Sequence, residues 1–338
     1  MNVFERVRLL IVRARAKTGQ QLLRGIAMRL WPLSILTRMY YRIRWAEWPR
    51  AFLNRDLIAA FAHEPPVLDG DQQRCVDELR KTGIYASTLQ ELTGDNDLLG
   101  RLTDEAQKLL AAPAVQAQIA ERHARRGEKW YVIRPLGYES RLTLSEPLAQ
   151  LVLHPRLLAI VNQYLGMYSR LCYVGLWYNI PVFDQERGID SENWHRDHED
   201  RNVLKLYLYL VDVDDQMGPL NYLRGTQPLG PYADAFPAEA AYGSIPTPEQ
   251  LTAVVPCEAN LTCTGPAGTL LFCDTAGFHR GGRTLTKPRV VFTATYVTDS
   301  GVDVRRIELE RAAQLHDFGV AAAFALRKEK QIRSLPAR

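Results

Sequence analysis

The second half of the chain consists of short apolar and β-branched runs, each bounded by Gly, Pro, Asp or Asn. Between Lys205 and Leu210, leucine alternates with lysine or tyrosine, which is the pattern of a strand that buries one face. This half of the chain must therefore form β-structure. The predicted strands are Leu171–Ile180, Leu204–Val213, Gly268–Cys273 and Arg289–Val297.

The residues before about position 170 have a helical pattern instead. Gly70–Thr82, residues 96–122 and Pro147–Leu165 are predicted helices, the last ending at Gly166. Helices followed by a strand-rich half predict an α+β fold, in which helices buttress a β-sandwich or barrel. The predicted parts are a basic helical N-terminal extension over 1–65, a main domain over 66–305 (helical buttress 66–166, β-core 167–300) and a basic helical tail over 306–338.

The formal net charge of +4 is unevenly distributed along the chain. Residues 1–50 contain eleven Lys and Arg against two Glu, so the remainder is mildly acidic. This distribution excludes a uniformly basic nucleic-acid binder, and we expect no nucleic-acid partner. Two interpretations of residues 1–50 stay open: peripheral contact with a membrane, and packing on the body or on a second copy of the chain.

The sequence contains no apolar run of the roughly 18–20 residues that a membrane span requires. Its five cysteines are odd in number and include no Cys-x-x-Cys pair, so we expect free thiols in a reducing compartment. The expected location is the cytoplasm, with membrane association through residues 1–50 left open.

Two histidines, an aspartate and an arginine in the strand-rich half form a candidate site. His195 and Asp197 are two residues apart, so on an extended segment both side chains point the same way. With His279 they make a three-ligand facial set, which leaves positions open on iron(II) for a chelating co-substrate and dioxygen. Arg289 opens a predicted strand ten residues after His279. A guanidinium there suits the far carboxylate of a co-substrate such as 2-oxoglutarate.

These motifs, with the segments Gly218–Thr226 and Gly268–Phe272, resemble the phytanoyl-CoA dioxygenase family. The resemblance covers residues 170–300 best and residues 70–165 more loosely. It implies a double-stranded β-helix (jelly-roll, cupin-like) fold and a non-haem dioxygenase that uses iron(II), 2-oxoglutarate and O2. The implied reaction is hydroxylation of an unactivated C–H bond in a small-molecule or lipid-like substrate.

By motif, the resemblance makes His195, Asp197 and His279 the iron ligands, and Arg289 the group that binds the C5 carboxylate of 2-oxoglutarate. Tyr178 or Asn179, on the strand before the His-x-Asp motif, is implied as a further contact to the co-substrate.

The chain departs from the family pattern at Gly281, because many members have a hydroxylated residue shortly after the distal histidine. The aspartate at position 197 disfavours the halogenase variant, which has a small residue there.

Several alternatives stay open from the sequence. Arg280 and Arg283 compete with Arg289 for the co-substrate, and we favour Arg289 because the other two lie in a glycine-rich turn. His198 is expected to point away from the His195–Asp197 pair. The alternatives to an enzyme are a non-catalytic jelly-roll binding protein and a peripheral membrane scaffold, and the intact ligand set favours the enzyme.

Overall fold

The computed structural model describes residues 33–121, 130–137, 141–182, 190–236, 246–301, 306–310 and 318–327. The helices are α1 Leu33–Trp45, α2 Glu47–Leu53, α3 Arg55–His63, α4 Gly70–Thr82, α5 Leu89–Thr93, α6 Leu98–Ala111, α7 Pro113–Ala120, α8 Glu146–Val152, α9 Pro155–Leu165, α10 Pro248–Thr252 and α11 Gly319–Ala325. The strands are β1 Ile84–Thr88, β2 Val132–Leu136, β3 Arg141–Leu144, β4 Arg170–Asn179, β5 Leu204–Tyr209, β6 Leu220–Leu223, β7 Asn260–Cys263, β8 Thr269–Asp274, β9 His279–Gly281, β10 Arg289–Val297 and β11 Arg306–Leu309.

Most strands belong to two antiparallel sheets that pack face to face. The larger sheet has the order β1-β8-β5-β10-β4-β2, and the smaller has the order β7-β6-β9. Tyr209 and Leu271 of the larger sheet share one hydrophobic cluster with Leu220 and Tyr222 of the smaller sheet. Two facing sheets whose neighbouring strands are joined by crossovers form a jelly roll. The predicted α+β, double-stranded β-helix fold is confirmed.

The strands of the larger sheet present one face to the helices and the other to the smaller sheet. On β5, Leu204, Leu206 and Leu208 join the main hydrophobic core with residues of α4, α8 and α9. Tyr209, on the opposite face, packs in the cluster between the sheets, and its hydroxyl donates to the carbonyl of Cys263 (2.7 Å). The alternation in the β5 sequence is therefore an alternation between these two faces.

Helix α4 has the bounds that the sequence predicts because both its ends carry caps. Asp69 accepts from the backbone N–H of Gln72, whose side chain in turn accepts from the Asp69 N–H, a capping box. Gly83 ends the helix in the left-handed conformation, with φ 85°. A Cβ on Gly83 would also collide with the hydroxyl of Tyr222, so this position requires glycine for space as well.

Prolines divide the two longer predicted helices. The predicted helix over 96–122 is α6 and α7, because Pro113 has no N–H to continue the α6 hydrogen bonds. The predicted helix over Pro147–Leu165 is α8 and α9, with Pro155 at the start of the second. Gly166 ends α9 in the left-handed conformation, as predicted.

The predicted helical tail over 306–338 is corrected at its start, where the chain forms β11 and pairs with β3 in parallel. Ile307 and Leu309 alternate into the main core, and a period of two favours a strand over a helix. Helix α11 follows and buries Phe324 in the same core. The remaining residues of the tail, 311–317 and 328–338, lie outside the described residues.

Helices α1–α3, from the predicted extension, are docked on the body. Leu57 of α3 is fully buried in the main core. Asn54 is also buried, and its Oδ1 accepts from the backbone N–H of Asp299 (2.7 Å). Arg44 of α1 donates to the carbonyl oxygens of Asp299, Ser300 and Gly301 at 2.6–3.2 Å. Over its described portion, the extension is therefore part of the folded domain.

Residues 1–32 lie outside the described residues, and with them most of the basic stretch that the sequence singles out. Among the helices that the structure does describe, none is long and apolar enough to cross a membrane. All five cysteines are free thiols, as predicted, and only Cys257 is exposed.

Replacing Asn54 should measure how tightly α1–α3 are held. Asn54→Ala leaves the partly buried N–H of Asp299 without its acceptor, so we expect a loss of about 1–3 kcal/mol in the free energy of unfolding. Urea denaturation of the full chain measures it. Gln73→Ala, which removes an exposed side-chain hydrogen bond to Asp77, is the control and should cost less than about 0.5 kcal/mol. Equal effects of the two substitutions would show that the Asn54 contact does not hold the helices.

Candidate metal centre

The fold brings His195, Asp197 and His279 together from two segments. His195 and His279 form an antiparallel bridge, in which each backbone N–H donates to the carbonyl of the other (3.1 and 3.0 Å). The two imidazole rings therefore lie side by side, with centroids 4.2 Å apart. Asp197, whose N–H donates to the carbonyl of Thr275 (2.8 Å), projects its carboxylate toward both rings. Nε2 of His195 lies 3.8 Å from Oδ1, and Nε2 of His279 lies 3.5 Å from Oδ2.

The outer nitrogens of both histidines bind backbone carbonyls. Nδ1 of His195 is 2.9 Å from the carbonyl of Asn193, and Nδ1 of His279 is 3.1 Å from that of Gly277. A carbonyl can only accept, so each Nδ1 must carry the proton. Each Nε2 then keeps its lone pair in the neutral ring and points it toward Asp197. Histidines that bind metals characteristically have this arrangement.

Burial and charge set the protonation of the three groups. Burial alone would raise the pKa of Asp197, but the positive charge of Lys205 outweighs it and holds this pKa well below its ordinary value. Burial, with a smaller effect of His195, lowers the pKa of His279 to about 3. At neutral pH the site therefore presents an ionised carboxylate and a neutral His279 imidazole. The three donor atoms, one from each residue, all lie within 4.8 Å of one another, close enough to share one ion.

Lys205 is a site residue that the sequence analysis missed. Its Nζ lies 2.5 Å from Oδ2 of Asp197 and 5.5 Å from the centre of the Tyr173 ring. Burial favours the neutral amine, but Asp197 outweighs it and raises the pKa of Lys205. The sequence does contain a signal, because Lys205 occupies the same face of β5 as Tyr207 and Tyr209, which is not the face of the leucines. A charged residue at an inward position of a strand marks a buried partner.

Arg196, between the two motif residues, is a second residue whose role was missed. It is buried, and its guanidinium donates to the carbonyls of Ala276 (2.6 Å), Ala235 (3.0 Å) and Thr226. It also lies over the ring of Phe278, 4.2 Å from the centroid. Burial lowers the pKa of Arg196 to about 10, so it stays charged at neutral pH. Arg196 thus holds the His-x-Asp segment against the loop before His279.

Arg289 and Asn179 are cross-strand partners on β10 and β4, so their side chains share a face. Arg289 is 9% exposed and forms no ion pair with any described residue. Burial lowers the pKa of Arg289, while Tyr209, Glu192 and Tyr207 act against this effect. Its Nε has no hydrogen-bond partner among the described residues, and neither has the buried Oδ1 of Asn179. Two neighbouring buried polar groups without partners indicate a place for a polar ligand.

The remaining candidates occupy other positions. Tyr178, next to Asn179 along β4, lies on the other face and packs against the main core, so the structure separates it from Arg289. Arg283 donates to Glu192 (2.9 Å), and Arg280 lies over the ring of Trp194, 4.7 Å from its centroid. Both of these arginines therefore have neighbours that hold the guanidinium in the turn, in contrast to Arg289.

Comparisons with known proteins give remote likenesses of fold. No family model and no curated protein matches the chain. Similar solved structures include the epimerase SnoN in complex with Fe3+, alpha-ketoglutarate and nogalamycin RO, at 18% identity over 68% of this chain and 84% of that one, with a TM-score of 0.47. EctD from S. alaskensis with 2-oxoglutarate and 5-hydroxyectoine is 18% identical over 72% of this chain and 85% of that one, with a TM-score of 0.49. The non-haem monooxygenase ThoJ is 17% identical over 77% of this chain and 100% of that one, with a TM-score of 0.44.

Likenesses this remote assign no residue and no reaction to this chain. Because no family model matches, the resemblance to the phytanoyl-CoA dioxygenase family also stays a prediction.

The role of Arg196 can be tested by stability. Arg196→Met leaves buried carbonyls without a donor, so we expect the free energy of unfolding to fall by about 2–4 kcal/mol. Chemical denaturation measures the loss. The control is Arg224→Met, at an exposed arginine that donates to the carbonyl of Glu258, and it should cost less than about 0.5 kcal/mol. A stable Arg196→Met protein would mean that the carbonyls find other donors.

Proposed function

We propose that the protein is an iron(II)- and 2-oxoglutarate-dependent dioxygenase that oxidises an unactivated C–H bond of a small organic molecule. The observation that carries the proposal is the arrangement of His195, Asp197 and His279, whose ligand atoms all lie within 4.8 Å of one another while both Nδ1 atoms are occupied by backbone carbonyls. Two imidazoles and one carboxylate are the facial set of non-haem iron(II) oxygenases.

The protonation states of Asp197 and His279 at neutral pH suit the binding of a divalent metal. A neutral His279 needs no deprotonation before binding, and the low pKa of Asp197 supplies the negative charge at neutral pH. In this proposal the two Nε2 atoms and one carboxylate oxygen hold the iron. Lys205 neutralises part of the carboxylate charge and orients it through its contact with Oδ2.

The Arg289 guanidinium fits the distal carboxylate of 2-oxoglutarate. A buried cation without a counter-ion is costly, and an anionic ligand removes that cost. Arg289 opens β10, so the sheet fixes its position, and the amide of Asn179 on the neighbouring strand offers a further polar contact. Of the two residues named from the sequence, the geometry favours Asn179 over Tyr178.

The protein residues have separate tasks in this reaction. When bound, iron(II) and 2-oxoglutarate would supply the electrons that activate dioxygen for attack on a C–H bond. His195, Asp197 and His279 hold the metal on one side. Arg289 fixes the orientation of the co-substrate, and the apolar wall between the sheets, which includes Leu271 and Val291, limits the access of water.

The ligand assignment predicts that iron binding depends on each of the three residues. His195→Ala, Asp197→Ala and His279→Ala should each abolish the visible charge-transfer band on anaerobic titration with iron(II) and 2-oxoglutarate, because a facial set of two ligands holds the metal weakly. The same variants should lose 2-oxoglutarate turnover, measured as succinate release.

His198→Ala is the matched control, since it removes an imidazole one residue beyond Asp197, and it should keep the band. A full band in the Asp197→Ala protein would contradict the assignment. A wild-type protein that shows the band but releases no succinate with any tested substrate, lipids and acyl-CoA thioesters included, would be a non-catalytic binding protein.

The Arg289 assignment predicts a separate effect on the co-substrate. Arg289→Lys loses the bidentate geometry, so the KM for 2-oxoglutarate should rise about tenfold or more while the affinity for iron(II) is unchanged. Steady-state kinetics and metal titration measure the two quantities. Arg280→Met serves as the control and should leave this KM unchanged. If Arg280→Met raised the KM for 2-oxoglutarate more than Arg289→Lys, Arg280 would be the residue that binds the co-substrate, and the assignment of Arg289 would be wrong.

A further inference from the structure

Helices α1 and α2 present their apolar side chains to solvent. Eight of the thirteen large apolar side chains that are exposed among the described residues lie within Ile35–Leu53. Trp48 is 75% exposed, the highest value among these eight. We call this set the α1–α2 surface; it consists of Ile35, Leu36, Met39, Tyr40, Ile43, Trp48, Phe52 and Leu53.

The α1 part of this surface is one continuous side of a helix. Its five members stand at i, i+1, i+4, i+5 and i+8, which places them on one face. Tyr41 lies on the opposite face and is buried, and Arg44 on that face binds the carbonyls of Asp299–Gly301. The anchored face therefore fixes α1 with its apolar side outward. This reverses the usual orientation of a surface helix.

Cations border the α1–α2 surface. Arg42 is exposed on α1, and the guanidinium of Arg55 lies over the ring of Phe52, 4.7 Å from its centroid. Glu47, the single acid of residues 33–53, is paired with Arg201. The sequence immediately before α1, residues 1–32, adds seven Lys and Arg against one Glu. An exposed apolar face with aromatic residues and a basic border has the composition of a helix that lies in a lipid interface.

We propose that the α1–α2 surface binds the interface of a bilayer containing anionic phospholipids. The apolar side chains would enter the boundary between headgroups and acyl chains, and the neighbouring arginines would meet the lipid phosphates. This proposal goes beyond the proposed function and does not rest on it, since it concerns a surface and not the metal centre.

Charge favours a bilayer over a second copy of the chain as the occupant. A symmetric dimer through this surface would bring two identical basic stretches together, and like charges oppose such contact. An anionic leaflet has the complementary sign and attracts each Lys or Arg near it.

The surface and the metal centre are connected through the same segments. Glu47 of α2 pairs with Arg201, four residues after Asp197, and Asn54 binds the backbone just beyond β10. A bilayer bound at α1–α2 would thus be held at a fixed position relative to the loop that follows the His-x-Asp motif.

Vesicle co-sedimentation of the full chain tests the proposal. The wild-type protein should bind vesicles of phosphatidylglycerol and phosphatidylcholine in equal parts, and bind vesicles of phosphatidylcholine alone more weakly. Trp48→Ser with Phe52→Ser should weaken partitioning into the mixed vesicles by roughly tenfold or more, because two aromatic side chains no longer leave water. Both residues are exposed, so thermal unfolding should match that of the wild type.

Val67→Ser is the matched control, because Val67 is an exposed apolar residue outside the surface, and it should bind like the wild type. The proposal is overturned if the double variant binds as tightly as the wild type, if Val67→Ser weakens binding equally, or if the wild type binds neither vesicle. A wild-type dimer in solution that the double variant converts to a monomer, without vesicle binding, would identify a second copy as the occupant and also overturn it.

Fluorescence locates the contact. Brominated phosphatidylcholine in the mixed vesicles should quench part of the tryptophan emission of the wild type. Trp48→Phe keeps an apolar ring, so it should still bind, but with a smaller quenched fraction. An unchanged quenched fraction would show that Trp48 does not enter the bilayer and would overturn the proposal.

Discussion

The antiparallel bridge between His195 and His279 is the contact on which the arrangement of the site depends. Its two backbone hydrogen bonds join the segment after β4 to β9 of the smaller sheet. The imidazoles become neighbours because their backbones pair, without any direct attraction between two basic rings. Asp197 lies two residues after His195, so its side chain points the same way, and its backbone N–H donates to the carbonyl of Thr275. A jelly roll thus builds a three-donor cluster from backbone pairing, while the side chains remain available to a ligand.

Two buried cations lie between the sheets, and only one of them forms an ion pair with a described residue. Asp197 and Lys205 compensate each other, and each holds the other ionised against the cost of burial. Arg289 has tyrosines and Glu192 near it but forms no ion pair with a described residue. In the proposed function, the anionic co-substrate removes this cost at Arg289. The two cations therefore differ: Lys205 is paired with Asp197, whereas Arg289 is assigned an anionic ligand only in the proposed function.

The sequence predicted those parts of the fold and site that depend on local pattern. Short apolar and β-branched runs between turn residues predicted β4, β5, β8 and β10, with alternation as a further signal on β5, and residue type with spacing identified His195, Asp197 and His279 as candidates. Arg196 was missed because its partners are carbonyls brought to it by the fold from residues 226–276, which no local pattern reveals. Tyr178 and Asn179 are neighbours on β4, so their side chains point to opposite faces of the sheet. The sequence could not show which of the two faces carries Arg289; the register between β4 and β10 places Asn179 on that face. Composition revealed the basic stretch but could not show which side of α1 the body covers.

The orientation of α1 differs from that of an ordinary surface helix. Apolar residues on a helix ordinarily predict the face that packs on the core, and on α3 this holds for Leu57. On α1 the body is bound instead through Tyr41 and the polar contacts of Arg44, which leaves the broader apolar side in water. Exposed apolar area lowers solubility, and a fold held this firmly cannot bury it by rotating the helix. A docked helix with its apolar side outward therefore agrees with the proposal that a bilayer covers that side.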